Sequence, residues 1–338
     1  MLIDIHAHVI PHEFPDRDGW PVMGPPDADG GRLLESGPVR FTAGPAWCEA
    51  ESRVAAMDEN GVDVEVVSPF PPLLNYTQPA TQYRDLCRYV NEWIAGLCQA
   101  APGRILGLGT VPLQDPDLAA AELTELKRIG LHGIEIGSNI AGVSLGDERL
   151  LGFFAEAARL RIPIFVHALN PTFTDRLPGP AIPTFGFATD IALAAASLVS
   201  SGTAEKCPDL SLAFSHGAGG FPLMLTRAQY FWSGAWDERL PPGGEPAGIL
   251  ASAAAHSPTE TARRFFYETL IFDRRAMRYL IDMIGPDRLL IGSDFPAMPR
   301  ERPAGATMRA LDLPSATLDD ITWHNTWRFL GRTPPGAS

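Results

Sequence analysis

Short runs of residues that are apolar on both faces recur along the chain, and amphipathic stretches separate them. The first run is Leu2-Ile3-Asp4-Ile5, ending in His6-Ala7-His8. Further runs fall at 63–68, 104–111, 132–137, 162–167, 210–216, 265–268 and 288–294. Each is long enough for a strand and, unlike a half-exposed strand, does not alternate with polar residues. Between them, residues 52–60, 83–99, 117–129, 147–160, 189–200, 274–284 and 321–330 carry apolar residues at helical spacing, and another helix starts at 219–231. Residues 83–99 show the pattern plainly, with Leu86, Val90, Trp93, Ile94 and Leu97 on one face.

About eight strand–helix units in 338 residues predict an α/β protein with a parallel sheet, as a (β/α)8 TIM barrel. An open doubly wound sheet is the alternative, but no Gly-x-Gly-x-x-Gly follows the first strand. No linker divides the chain, so residues 1–338 read as one domain. The exception to the grammar is an insertion at about 9–48, crowded with Pro and Gly (Pro25-Pro26, Gly30-Gly31, Gly37-Pro38, Gly44-Pro45). It is too long for a plain connector and reads as a functional loop, a lid or a small hairpin subdomain.

Composition narrows the function classes. A formal net charge of −13 argues against nucleic acid and anionic lipid as partners. No uninterrupted apolar run reaches the ~20 residues of a membrane helix. No basic segment precedes an apolar one at the start, which points to the cytoplasm. Cys48, Cys87, Cys98 and Cys207 fit neither a zinc-ribbon nor a redox spacing and read as buried thiols.

The strand ends carry the candidate chemistry. On a regular strand His6 and His8 project from one face. As a pair they are half of a metal site, or equally a cap histidine beside a surface one. The fifth strand ends in His167, the sixth in His216 and the eighth in Asp294. In a barrel these ends share one rim, and three imidazoles with a carboxylate suit zinc, or manganese or iron.

These residues, with His216-Gly217-Ala218-Gly219-Gly220 and Gly292-Ser293-Asp294-Phe295-Pro296, resemble the amidohydrolase superfamily. More narrowly they resemble its metal-dependent decarboxylase branch, typified by aminocarboxymuconate-semialdehyde decarboxylase. The likeness runs almost end to end, through Ser52-Arg53-Val54-Ala55-Ala56-Met57-Asp58, Gly107-Leu108-Gly109-Thr110-Val111-Pro112, Phe221-Pro222 leading to Arg227, Phe266-Tyr267-Glu268-Thr269-Leu270 and the closing Asn325-x-x-x-Phe329-Leu330-Gly331. The resemblance implies that His6, His8, His167 and Asp294 ligate one divalent ion, most readily Zn2+. It implies that His216 works on the metal-bound water. It also implies that Arg53 and Arg227 hold a substrate carboxylate, Arg227 from the second subunit of a homodimer. Without the resemblance both arginines would read as solvated helix residues.

Two places depart from the pattern: residues 170–186, which carry no recognisable specificity, and Phe272, where relatives often have a histidine. Only Lys127 and Lys206 are lysines. None ends a strand, so a carboxylated-lysine binuclear site is disfavoured. Glu135, in the fourth strand, reads as a buried hydrogen-bonded acid rather than a bridge to a second ion. The glycines after His216 read as leaving room at the metal. The expected activity is non-oxidative decarboxylation of a small unsaturated or aromatic acid. Hydrolysis or hydration of a related acid, ester, amide or lactone is the alternative. A non-catalytic metal-binding scaffold is the rival from another class.

Overall fold

The computed structural model describes residues 1–234 and 256–334. Eight parallel strands form one sheet in chain order: β1 (Ile3–Val9), β2 (Val64–Pro69), β3 (Ile105–Gly109), β4 (Gly133–Gly137), β5 (Ile164–His167), β6 (Leu212–Phe214), β7 (Phe266–Glu268) and β8 (Leu289–Leu290). The order returns to its start. Ile5 N donates to Ile291 O at 2.9 Å, and Ala7 bridges in parallel to Phe295. This is the (β/α)8 fold that the alternation predicts. Val66, Val67, Ile134, Ile136, Phe165, Val166 and Phe214 are all fully buried, which is why their runs lack polar alternation.

By packing, the chain falls into two compact units. The first is Met1–Ile136 with Ile291–Ala306, and the second is Gly137–Leu290 with Thr307–Ser338.

In the first unit, helices α1 (Ala50–Asn60), α2 (Ala80–Ala100) and α3 (Pro116–Arg128) follow the early strands. The start of α3 is set by Asp115, whose carboxylate accepts from Leu118 N at 3.1 Å, and by Pro116 behind it. The Pro/Gly-rich insertion is a hairpin subdomain. Val22–Pro26, Arg32–Ser36 and Val39–Ala43 form a three-stranded antiparallel sheet. It has its own apolar cluster of Ile10, Leu34, Ala43 and Trp47, joined by Phe41 and Phe70. The Trp47 and Phe70 rings lie 4.8 Å apart, and Phe70 in turn lies 6.1 Å from the ring of His8. The insertion is thus packed down onto the end of β1 by aromatic edge contacts.

In the second unit, α4 (Leu151–Leu160), α5 (Phe187–Ser200), α6 (Phe221–Ser233) and α7 (Arg274–Ile284) alternate with the late strands. Residues 170–186 make 3-10 turns at Thr174–Arg176 and Gly179–Ala181, then a π turn at Ile182–Gly186 that runs into α5. That combined segment, Gly179–Ser200, is long and apolar enough to cross a membrane by length and composition, a feature the search for an uninterrupted apolar run passes over. In the fold, Ile191, Ala195 and Leu198 of α5 are core residues, while Phe185 and Leu193 of the same segment are exposed.

Candidate metal centre

The site starts at the end of β1. The pairing of β1 with β2 slips between Asp4 and Ala7, a bulge that the simple alternation rule does not see. It re-aims the chain where His6 sits. His6 and His8 are fully buried, and their Nε2 atoms face each other at 3.2 Å. Oδ1 of Asp294 lies 3.0 Å from Nε2 of His8 and 3.5 Å from Nε2 of His6. Donors bound to one tetrahedral zinc at 2.0–2.1 Å sit roughly 3.3 Å from one another, so these three already have the spacing of ligands around a common ion.

The local backbone holds this arrangement. Asp294 N donates to His6 O at 2.7 Å, and His8 N donates to Phe295 O at 2.7 Å. Asp294 adopts a left-handed backbone, φ 58°, a conformation that a non-glycine residue holds only where its surroundings impose it. Behind His8, Nδ1 lies 3.2 Å from Pro69 O and 3.2 Å from Ser68 Oγ, while Ser68 Oγ donates to Glu135 Oε2 at 2.7 Å. A proton on Nδ1 shared with these acceptors leaves Nε2 as the lone-pair side.

The ionisation pattern agrees. Burial, only partly offset by Asp294, pushes His6 down to about 4, so its ring is neutral at pH 7. For His8, burial pulls downward, but Glu135 and Asp294 outweigh it and the group is raised. Burial pushes Glu135 up to about 7. Glu135 is thus the buried, hydrogen-bonded acid the sequence suggested.

In the second unit, His167 ends β5 and is buried. Its Nδ1 lies 2.8 Å from its neighbour's carbonyl, Ala168 O, so Nδ1 carries the proton and Nε2 is again the acceptor side. His216 follows β6 with φ 52°. Its backbone N donates to Glu268 Oε2 at 2.8 Å, and its ring centre lies 5.5 Å from that of His167. Of the glycines after it, Gly219 is required by the backbone. Gly219 has φ 56°, and a Cβ there would fall 1.9 Å from Ala188 O on α5, so no larger residue fits without moving that helix.

Of the two arginines, Arg53 departs from the expected substrate contact, whereas Arg227 lies on the surface. Arg53 is fully buried. Nη1 donates to Glu65 Oε2 at 2.6 Å and Nη2 donates to His8 O. Its charge is engaged inside the protein, and it has no exposed surface to offer a substrate. Arg227 is exposed on α6, its guanidinium carbon 4.8 Å from the Phe231 ring centre. Around it Leu223, Met224 and Tyr230 are exposed at 68%, 44% and 39%. Phe272 is also exposed, with φ 60°. Three residues behind the ligands were missed from sequence: Asp4, Glu65 and Arg300. A charge inside each of two apolar strand runs was a visible signal for Asp4 and Glu65. Arg300 had none.

Comparison with known proteins follows the same direction. The family model described as Amidohydrolase matches residues 3–332. A 2-amino-3-carboxymuconate-6-semialdehyde decarboxylase from Dictyostelium discoideum is 26% identical, over 99% of this chain and 92% of its own length. A gamma-resorcylate decarboxylase from Rhodococcus jostii is 28% identical, over 76% of this chain and 82% of its own. Among solved structures, a dihydroxybenzoic acid decarboxylase from a Polaromonas species, crystallised with manganese and 2-nitroresorcinol, superposes with a TM-score of 0.73 at 23% identity. The superposition covers 85% of this chain and 88% of that one, and shows the shared fold.

Proposed function

This chain belongs to the amidohydrolase family, and we propose that it is a metal-dependent, non-oxidative decarboxylase of a small aromatic or unsaturated carboxylic acid. The observation that carries the reading is the convergence of His6, His8 and Asp294, whose donor atoms lie 3.0 to 3.5 Å apart. The names of the relatives, decarboxylases of a carboxymuconate semialdehyde and of gamma-resorcylate, support the reaction class.

In this proposal His167, at the rim end of β5, completes the ligand set for one divalent ion. Three imidazoles and one carboxylate favour zinc, and manganese, held by the Polaromonas neighbour, is accommodated by the same donors. A bound ion supplies Lewis-acid polarisation of substrate oxygens.

The chain's own residues do the rest. Buried His6 is held neutral by its burial, and His8 is held in place by the bonds behind it. His216 holds the proton that replaces the carboxylate. The electron pair of the breaking C–C bond stays on the ring or alkene carbon, CO2 leaves, and the imidazolium proton moves to that carbon. Arg227, exposed among apolar residues on α6, would meet the substrate carboxylate in a second copy of the chain, as a guanidinium fork suits. Arg53 is assigned instead to holding the end of β1.

The test is a panel of ortho-hydroxy and conjugated acids, with matching esters and lactones, incubated with metal-loaded protein and read by mass spectrometry. Loss of CO2 from an acid supports the proposal. Gain of water across an ester, lactone or double bond, with no CO2 lost, would move the assignment to hydrolase or hydratase.

A further inference from the structure

Beneath the ligands of the first unit lies a buried set of four charges whose formal sum is zero: Asp4, Glu65, Arg53 and Arg300. Each is at most 7% exposed. Arg300 Nε donates to Asp4 Oδ2 at 3.0 Å, and its Nη2 pairs with Glu65 Oε1. Glu65 Oε2 accepts from Arg53 Nη1 at 2.6 Å. The chain of charges therefore runs Asp4–Arg300–Glu65–Arg53. The guanidinium carbon of Arg300 also sits 3.9 Å from the ring centre of Phe295, with that of Arg53 5.5 Å from the same ring.

What distinguishes this network from a generic buried ion pair is where its remaining bonds go. Asp4 Oδ1 accepts from the backbone N of His6 at 3.2 Å. Arg53 Nη2 donates to the backbone O of His8. Ser293 Oγ donates to Asp4 Oδ2 and accepts from Phe295 N at 3.3 Å, so Asp294 is bracketed on both sides. Every ligand of this unit is pinned by the network, at its own backbone or at that of its neighbours. The β1 bulge places these bonds at a point where the regular ladder is interrupted, so side chains do there what backbone pairing does elsewhere.

Such an arrangement is costly as a stability device. Desolvating four charges consumes most of their mutual attraction, and apolar replacements of similar volume often do as well. Fixing ligand donors is a task that apolar groups cannot perform, because it needs directed bonds to backbone N–H and C=O groups.

We propose that Asp4, Glu65, Arg53 and Arg300 are positioning residues that set metal affinity by fixing the backbone bearing His6, His8 and Asp294. The inference rests on the metal-site reading above. None of the four touches the ion or the substrate in this account.

The experiment measures ion affinity directly, by competing Zn2+ or Mn2+ against a chromophoric chelator, for wild type, Arg300→Met, Arg300→Lys and Asp4→Asn. Circular dichroism first confirms that each variant is folded at the assay temperature. Arg300→Met, which keeps bulk and loses the directed bonds, is expected to bind the ion 10- to 100-fold more weakly, the usual effect of removing an outer partner of a metal ligand. Arg300→Lys is expected to recover part of that loss. Asp4→Asn is nearly isosteric and keeps an oxygen for His6 N but breaks the charge balance. It is expected to weaken binding by several-fold even if Arg300→Met does not fold. Folded Arg300→Met or Asp4→Asn protein with wild-type ion affinity would overturn the proposal. Wild-type protein that binds neither ion would instead remove the metal-site reading on which it rests.

Discussion

Oδ1 of Asp294 and Nε2 of His8 stand 3.0 Å apart although His8 lies at the end of the chain's first strand and Asp294 follows its last. His8 directs its Nδ1 toward Pro69 O and Ser68 Oγ, so the atom facing Asp294 is the acceptor side of the ring. Two acceptors at that distance repel unless a positive charge lies between them. A proton on His8 can supply it, and Glu135 and Asp294 together raise that group against the pull of burial. A divalent ion shared with His6 supplies it more fully.

The purified protein is therefore expected to hold about one divalent ion per chain. His6→Ala and Asp294→Ala should each lose it, since three donors in this unit share the load. Elemental analysis of washed protein checks this. Two ions per chain, or full loading in both variants, would remove the mononuclear assignment.

His216 is expected to behave differently from the ligands. His216→Asn should stay metal-loaded, because His6, His8 and Asp294 keep their own bonds, yet lose on the order of 10²–10⁴-fold in turnover, the usual range for a general acid–base group. One limb of the pH–rate profile should vanish with it. A metal-free variant would make His216 a ligand, and a fully active one would leave it no proton to carry.

How much of this was legible beforehand depends on the kind of signal. Fully buried strands announce themselves as unbroken apolar runs, so the eight strands and the polar residues that end them were readable. The insertion left loop and hairpin open. Its first strand and its turns are Pro- and Gly-rich, and what fixes the hairpins is a cluster of Trp47, Phe41 and Phe70, with Phe70 far along the chain. The bulge at His6 is set by pairing register, which one strand's sequence does not contain. Arg53 read as a substrate arginine because its motif neighbours did. Its true partners, Glu65 and the carbonyl of His8, are tertiary.

Arg227 tests assembly. If a second copy covers the exposed Leu223, Met224 and Tyr230 and receives Arg227, then Arg227→Ala should be inactive with its metal retained. Mixed with His216→Asn protein after subunit exchange, it should regain part of the activity, because some mixed dimers hold one intact site. No recovery once exchange is demonstrated, or a monomeric active species by sedimentation, would contradict the shared site.

An independent check on the fold comes from Asp273, the N-cap of α7, which accepts from Arg275 N at 2.8 Å and Ala276 N at 3.2 Å. The Arg275 side chain, with these backbone bonds, holds its carboxyl down at about 2, against an ordinary 3.8. A depressed folded pKa means stability that is fully present above pH 3.8 and is lost as pH falls toward 2. Asp273→Ala should lower the thermal midpoint at pH 7, and the difference from wild type should shrink across that acid window. An unchanged midpoint at pH 7 would show that the cap contributes nothing.

The most direct test of the account is metal-dependent release of CO2. An acid from the panel that reacts is supplied with its carboxyl carbon labelled with carbon-13, and gas release is followed in native, chelated and reconstituted protein. The account expects labelled CO2 in step with a product carrying a solvent-derived hydrogen at the vacated carbon, no release after chelation, and recovery when zinc or manganese is restored. Release that continues unchanged in protein shown by elemental analysis to be metal-free, or turnover that retains the label in a hydrated product, would contradict it.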